Sequence, residues 1–265
     1  MSLSLNGKKI LVTGVSRSLG IGAAIATLLA KEGAEVVIHG NPDYDSRLGY
    51  KDASQAFGFE LENRLQKEGY KIYSVPCSDL SQKNACEKTI KISQQKLGYL
   101  DGLVINHAYS VCRPIGEWTE THINAHLMTN VTGSMMLIQE FAKQLPVEKR
   151  GAITLFTSGQ DLGPMIKEIA YAVSKAALIG LCKQVAMALA DQNIQVNCIN
   201  PGPTDTGYLE GADYELVKEM FPMKRWGVPT DAARLVHFLQ SDYASWITGE
   251  VIASEGGFRR DIILE

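Results

Sequence analysis

Short runs of apolar, largely β-branched residues alternate along the chain with longer stretches whose apolar positions recur every three to four residues. Lys9 to Thr13, Glu35 to His39, Tyr70 to Val75, Gly102 to Asn106, Ala152 to Thr157, Gln195 to Ile199 and Glu250 to Ala253 read as strands. Most are apolar at consecutive positions, the pattern of strands covered on both faces. Between them, Ile21, Ile25, Leu28 and Leu29 share one helical face, and Leu178, Leu181, Val185 and Leu189 share another. The order is β-α-β-α throughout. Right-handed crossovers turn that order into a doubly wound parallel sheet with helices on both faces, an α/β domain of three αβα layers. No repeat or linker divides residues 1–265, so a single domain is expected. Gly40 to Ala53, rich in Asn, Pro, Asp and Gly, reads as an extended inserted loop before a helix near Ser54 to Lys67.

Composition narrows the function classes. The 26 basic and 29 acidic residues give a net charge of -3 with no basic block, so no nucleic-acid partner is expected. Five cysteines form no CxxC pair, poor material for a disulfide framework and consistent with a reducing, cytoplasmic location. The start, MSLSLNGKKILVTG, has too short an apolar run for a secretory signal, and stretches such as IGAAIATLLA are about half of what a bilayer crossing needs, so no membrane association is expected. His122 and His126 stand four apart, yet no third ligand accompanies them; a helix surface explains the pair and no metal is expected. Met135, Met136, Leu137 and Ile138 read as core or subunit packing, and Cys112 as an unactivated thiol.

Two motifs carry chemistry. TGVSRSLGIG, Thr13 to Gly22, follows the first strand and opens the first helix. Its glycines permit a tight turn and close approach to a pyrophosphate, which the free N–H groups and dipole of a helix N-terminus favour, although a structural β-α turn has the same composition. Tyr171 and Lys175, four apart, share a helix face, so the ammonium can favour ionisation of the phenol. Ser158 ends the fifth strand, at the sheet edge where open parallel sheets bind ligands, and can hydrogen-bond a reacting oxygen. Tyr-x-x-x-Lys is common by chance; its position, thirteen residues beyond Ser158 and behind a nucleotide-type first turn, gives it meaning.

With TGVSRSLGIG, Asp79 in CSDLS, INHA at 105–108, TNVTG around Asn130, Ser158, YAVSK, NPGPTDT at 200–206 and SEGG near the end, the chain resembles the classical short-chain dehydrogenase/reductase family over nearly its whole length. The TSGQ, GPM and NPGPTDTGY pieces resemble its 3-oxoacyl-acyl-carrier-protein reductase-like branch. The resemblance implies a Rossmann-type fold and a catalytic tetrad of Asn130, Ser158, Tyr171 and Lys175, Asn130 holding a water in a proton relay. It implies cofactor contacts from Gly14, Ser16, Arg17, Gly20, Ile21 and Gly22 in the first loop, Asn41 after the second strand, and Asp79 and Leu80 near the adenine. Asn106 and Ala108 would line the cofactor, and Pro201, Gly202 and Thr204 would border the nicotinamide. The sequence departs from the family pattern where Ser18 replaces the middle glycine, where NNAG becomes NHAY, and where SGQ follows the strand. These departures put Tyr109 and Gln160 forward, with Tyr208, as substrate residues.

The implied activity is hydride transfer between a nicotinamide cofactor and a carbonyl or alcohol, with Tyr171 as general acid or base, Lys175 steadying the phenolate and binding the ribose. A 3-oxoacyl-type reductase, an NAD-dependent alcohol or sugar dehydrogenase, and a non-catalytic nicotinamide-sensing protein are the alternatives; a methyltransferase has no use for the tyrosine–lysine pair. NADP(H) is favoured over NAD(H), because HGN at 39–41 lacks the acid that takes the ribose hydroxyls and Arg17 matches the residue that neutralises a 2′-phosphate; Asp43 or Asp45 folding back would reverse that choice. Residues 206–226, with Tyr208, Leu209, Met220, Phe221, Met223 and Trp226, form the expected cover over a small-molecule substrate. Family resemblance also implies a homotetramer.

Overall fold

The computed structural model describes residues 3–260, and among these seven strands form one wholly parallel sheet. They are β1 (Lys9–Thr13), β2 (Glu35–His39), β3 (Ile72–Ser74), β4 (Gly102–Ile105), β5 (Gly151–Phe156), β6 (Ile194–Asn200) and β7 (Val251–Ala253), in the spatial order β3-β2-β1-β4-β5-β6-β7. The central strands are buried almost throughout, which is why they read as unbroken apolar runs, and the two edge strands are short, which limits unpaired sheet edge.

Helices α1 (Ile21–Lys31), α2 (Pro42–Arg47), α3 (Phe57–Lys67), α4 (Ala85–Leu97), α5 (Glu120–His126), α6 (Gly133–Gln144), α7 (Ile169–Ala188), α8 (Gly211–Glu219) and α9 (Pro229–Gln240) connect them. One core joins Ile25 and Leu29 of α1, Leu61 and Leu65 of α3 and Val236 of α9 to Ile10, Val12, Val36 and Ile38 of the sheet. The other joins Ile90, Leu137, Phe141 and Cys182, from α4, α6 and α7, to Leu11, Leu103, Ile153 and Val196 on the opposite face. Adjacent residues of one strand thus feed opposite cores, as the period of two requires.

Two features matter for the site, the first a departure from the sequence reading. Gly40 to Ala53 is no simple extended loop: α2 lies inside it, begun by Pro42 at the first helical position, with Asp43 and Asp45 in its first turn and Arg47 in its last. Between α5 and α6 the chain makes a π-helical turn, Leu127–Thr132, and that turn carries Asn130. Helix α7 is long and apolar enough by composition to cross a membrane, mean hydropathy 1.3, yet it packs on β6 and β5 and carries Tyr171 and Lys175.

Candidate active site

The strand order reverses between β1 and β4, leaving a crevice at the carboxyl ends of the sheet. A cleft of about 330 Å³ opens there. Of the residues expected at a cofactor, Gly14, Ser16, Arg17, Gly20, Ile21 and Asn41 line it, as do Asp79, Leu80, Asn106 and Ala108. Gly14 adopts φ +74°, and a Cβ there would stand 2.7 Å from Asn106 Nδ2 and 2.8 Å from the His107 backbone. Gly22 packs beneath, where a Cβ would run into the Gly14 carbonyl. Helix α1 starts at Gly20 with no side chain capping it and no acid in its first turn, so its leading N–H groups are left for an anion. The cleft therefore fits a dinucleotide.

The glycine-rich loop is held by the insert. Asp52 accepts hydrogen bonds from Leu19 N at 2.8 Å, Ser18 Oγ at 3.2 Å and Arg17 Nη1 at 3.2 Å. Burial opposes the Asp52 charge, but the Leu19 bond and Arg17 outweigh it and hold this carboxyl below its ordinary range. Arg17, expected to meet a 2′-phosphate, is held by the insert and its neighbours: Nε lies 3.8 Å from Asp45 Oδ1, Nη1 donates to the Thr206 carbonyl at 3.2 Å, and its guanidinium lies 3.6 Å over the Tyr50 ring. Across the cleft, the Tyr44 hydroxyl donates to Ser110 O at 3.0 Å and accepts from Ser110 N at 2.6 Å. Tyr44, Asp45, Arg47 and Tyr50, all from the insert, line the cleft; of these the sequence pointed only to Asp45, as the acid that could fold back onto the ribose. Their signal was the clustering of aromatic and charged residues in a segment otherwise made of turn formers.

His107, in the place of an amide, is a neutral brace. Its Nε2 faces the Thr129 carbonyl at 3.1 Å, which can only accept, so Nε2 carries the proton and Nδ1 accepts from the Thr13 hydroxyl at 2.9 Å. Burial, with His39 and Lys175 nearby, pushes it down to about 3. Asn130 is buried, its Oδ1 accepting from Tyr109 N at 2.6 Å and its Nδ2 donating to Tyr109 O at 2.9 Å and Ser174 Oγ at 2.8 Å. Both amide hydrogens are therefore spent on joining the loop after β4 to α7.

Ser158 follows β5, and Tyr171 and Lys175 stand in the first two turns of α7. The Ser158 hydroxyl donates to Met165 Sδ at 3.9 Å and lines the same cavity as the phenol of Tyr171. Lys175 is 2% exposed; its Nζ donates to the Phe156 carbonyl at 2.7 Å and lies 5.7 Å from the Tyr171 ring centroid. From spacing alone the ammonium is expected to favour the phenolate. Here burial dominates instead, pushing Tyr171 up to about 12, with Ser158 opposing and the Glu168 charge adding. Burial also brings Lys175 down to about 8.

A second cavity of about 900 Å³ adjoins the cleft, and Ser158, Tyr208, Pro201, Gly202 and Thr204 line it. Tyr171 lines both spaces, together with Ile21, Tyr50 and Thr206. Two candidate substrate residues lie elsewhere. Tyr109 lines the cofactor cleft, its ring packed 5.2 Å from Tyr44 and 4.7 Å from His126. Gln160 is absent from the cavity wall and donates to the Thr157 hydroxyl at 3.0 Å. In the 206–226 segment the aromatic residues pack on one another: Trp226 stacks on Tyr214 at 5.0 Å and meets Phe221 at 6.1 Å, leaving Thr206, Tyr208 and Met220 to face the cavity. Glu168 and Arg260 also line it, and the sequence reading named neither. Glu168 was within reach of the helix rule, one turn before Tyr171.

The remaining candidates resolve as structure. His122 and His126 are buried, not on a helix surface: His126 Nδ1 donates to the His122 carbonyl at 2.8 Å and Nε2 accepts from Val111 N at 3.3 Å. Leu137 and Ile138 join the core, whereas Met135 and Met136 are exposed. The Cys112 thiol donates to Glu168 Oε1 at 3.2 Å, and burial together with that carboxylate pushes it up to about 11, so it stays protonated at neutral pH.

Comparison with known proteins agrees with this geometry. A family model described as Enoyl-(Acyl carrier protein) reductase matches residues 14–259. The chain is 35% identical over 256 residues to the uncharacterized oxidoreductase YjdA of Bacillus subtilis (strain 168), covering 96% of this chain and 97% of that one. It is 32% identical to the 3-oxoacyl-[acyl-carrier-protein] reductase FabG of Aquifex aeolicus (strain VF5), covering 97% and 99%. Among solved structures, a blue fluorescent protein from a metagenomic library, in complex with NADPH, superposes with a TM-score of 0.84 at 27% identity, covering 96% and 99%.

Proposed function

Because the chain belongs to the classical short-chain dehydrogenase/reductase family and is an oxidoreductase that uses a nicotinamide cofactor, we propose that it reduces a carbonyl, or oxidises the corresponding alcohol, in the 900 Å³ cavity beside Tyr171. The carrying observation is that Tyr171 lines both the cofactor cleft and that cavity, which Ser158 also lines. A nicotinamide bound in the cleft supplies or accepts the hydride. Ser158 holds the reacting oxygen. Tyr171, protonated at neutral pH, donates to that oxygen as charge develops on it, and the Lys175 ammonium stabilises the phenolate left behind. Asn130 keeps the loop after β4 in register with α7, a positioning role carried by its two spent amide hydrogens. Residues 206–226 cover the cavity through Tyr208 and Met220.

For the cofactor we propose NADP(H). No acid stands at 39–41, and Arg47, exposed on the cleft, pairs with no carboxylate within 4.0 Å among the described residues. One observation favours NAD(H): Asp45 also lines the cleft, where a ribose diol could donate to it. Fluorescence titration separates the two readings. Arg47→Ala is expected to weaken NADPH about tenfold and spare NADH, whereas loss of NADH binding in Asp45→Asn with NADPH unchanged would support the second reading. Copies of the chain are proposed to associate as a homotetramer, since Met135 and Met136 of α6, Val173 and Met187 of α7, and Trp246 before β7 are exposed apolar groups. Oxidation of NADPH by a carbonyl panel, lost in Tyr171→Phe, tests the activity itself; unchanged turnover in that variant would refute the role given to Tyr171.

A further inference from the structure

The substrate cavity has an electrostatic bias that its apolar walls conceal. Among the described residues that line it, only Glu168 and Arg260 carry a formal charge. Arg260 is already neutralised: Nη1 donates to Glu255 Oε2 at 2.8 Å, and Nη2 to Oε1, a bidentate pair. Glu255 is in turn held by Asn200 Nδ2 at 2.9 Å and has 7% side-chain exposure, so an incoming carboxylate that took Arg260 would leave a buried carboxylate unpaired.

Glu168 is not neutralised. It stands at the N-cap of α7, yet its carboxylate does not cap the helix; it takes the Cys112 thiol at 3.2 Å in the cavity wall. Among the described residues no cation lies within 4.0 Å of it. A carboxylate has about four lone-pair sites, and a single thiol is a weak donor, so acceptor capacity remains open. Its field extends over the cavity, disfavouring ionisation of Tyr171, Tyr208 and Tyr50 as well as of Cys112. The dipole of a twenty-residue helix favours keeping that negative charge in place.

We propose that Glu168 determines specificity in this cavity, selecting carbonyl or alcohol substrates that carry a hydrogen-bond donor, hydroxyl or ammonium, and rejecting those that carry a carboxylate. The proposal rests on the reading of this cavity as the substrate site. A like charge placed within hydrogen-bonding range of a partly screened carboxylate is disfavoured by about tenfold or more.

The test uses three methyl ketones of matched chain length ending in ammonium, hydroxyl or carboxylate, assayed with NADPH and NADH. The expected order of kcat/KM is ammonium, then hydroxyl, then carboxylate, the extremes differing by about tenfold or more, and Glu168→Gln is expected to collapse that ratio to about twofold. Cofactor affinity and melting of Glu168→Gln, measured in parallel, report whether the variant is folded; Glu168→Asp, which keeps the charge, is expected to keep the order. If none of the three is turned over, calorimetry of the corresponding alcohols against the enzyme with NADP⁺ gives the same ordering directly. A preference for the carboxylate, an order that Glu168→Gln does not change, or binding by none of the three overturns the proposal. Failure of every carbonyl to oxidise either reduced cofactor would instead defeat the catalytic reading, so the two failures are distinguishable.

Discussion

Replacing Lys175 by Met is expected to make the protein more stable while disabling it. Burial brings this ammonium from its ordinary 10.5 down to about 8, a difference worth about 3 kcal/mol against the charged form at pH 7. Met has nearly the same length and carries no charge, so that cost disappears. The Phe156 carbonyl loses its 2.7 Å partner, which returns about 1 kcal/mol. The net expectation is a gain of about 2 kcal/mol at pH 7, read from urea unfolding at fixed protein concentration. The sign with pH follows from proton counting. Between about 8 and 10.5 the unfolded chain binds more protons at this lysine than the folded one, so wild-type stability rises there with pH. At pH 9.5 the residual cost is about 1 kcal/mol, and the advantage of the variant should shrink towards zero. A variant less stable than wild type at pH 7, or an advantage that does not depend on pH, would refute the argument that the ammonium is held in place at the expense of stability.

Tyr171→Phe should keep cofactor affinity within about twofold and lower kcat by about 10²–10⁴-fold, since only the transferable proton is lost; steady-state kinetics with fluorescence titration checks both. Asp52→Ala frees Arg17, Ser18 and Leu19 at once and is expected to cost about 1–3 kcal/mol in urea unfolding and to weaken cofactor binding. Because the Asp52 carboxyl is held below its ordinary range, its contribution is complete above that range and lost as pH falls through the lowered value; a wild-type minus Asp52→Ala difference that grows on acidification would contradict this. Trp226→Ala should destabilise by about 3–5 kcal/mol in thermal or urea unfolding, as the stack on Tyr214 and the contact with Phe221 vanish together.

What could be read from the sequence was what local pattern encodes. Strands such as Lys9 to Thr13 and Glu35 to His39 match the structure residue for residue because doubly covered strands are apolar throughout, and the glycines at 14 and 22 mark close backbone contacts that exclude side chains. Helix α2 was hidden by its own composition: Pro42, Asp43 and Asp45 are turn formers, and they are equally good residues for a first helical turn. The misplacements at the site are non-local. Arg17 and Asp52 are thirty-five residues apart, so sequence spacing could not reveal that the loop arginine was already paired. His122 and His126 have a surface-like spacing, but the loop after β4 covers His126 with the Tyr109 ring, and His122 packs edge-on against His126. The spacing of Lys175 and Tyr171 predicts their attraction, but not the burial that dominates both groups.

The bond between Tyr44 and Ser110 has a kinetic meaning. Strands β2 and β4 flank β1, so the insert after β2 and the loop after β4 meet above the carboxyl end of β1, over the glycine-rich turn. Tyr44 lines the cleft, and were exchange of a dinucleotide bound there to require the bridge to part, the bridge would hold the cofactor in place. Two hydrogen bonds at about 1 kcal/mol each, with the Tyr44–Tyr109 ring contact adding about another, put the open form near one molecule in a hundred. Turnover would then be paced by departure of the spent cofactor, and a pre-steady-state burst followed by slow release is the signature such an arrangement leaves.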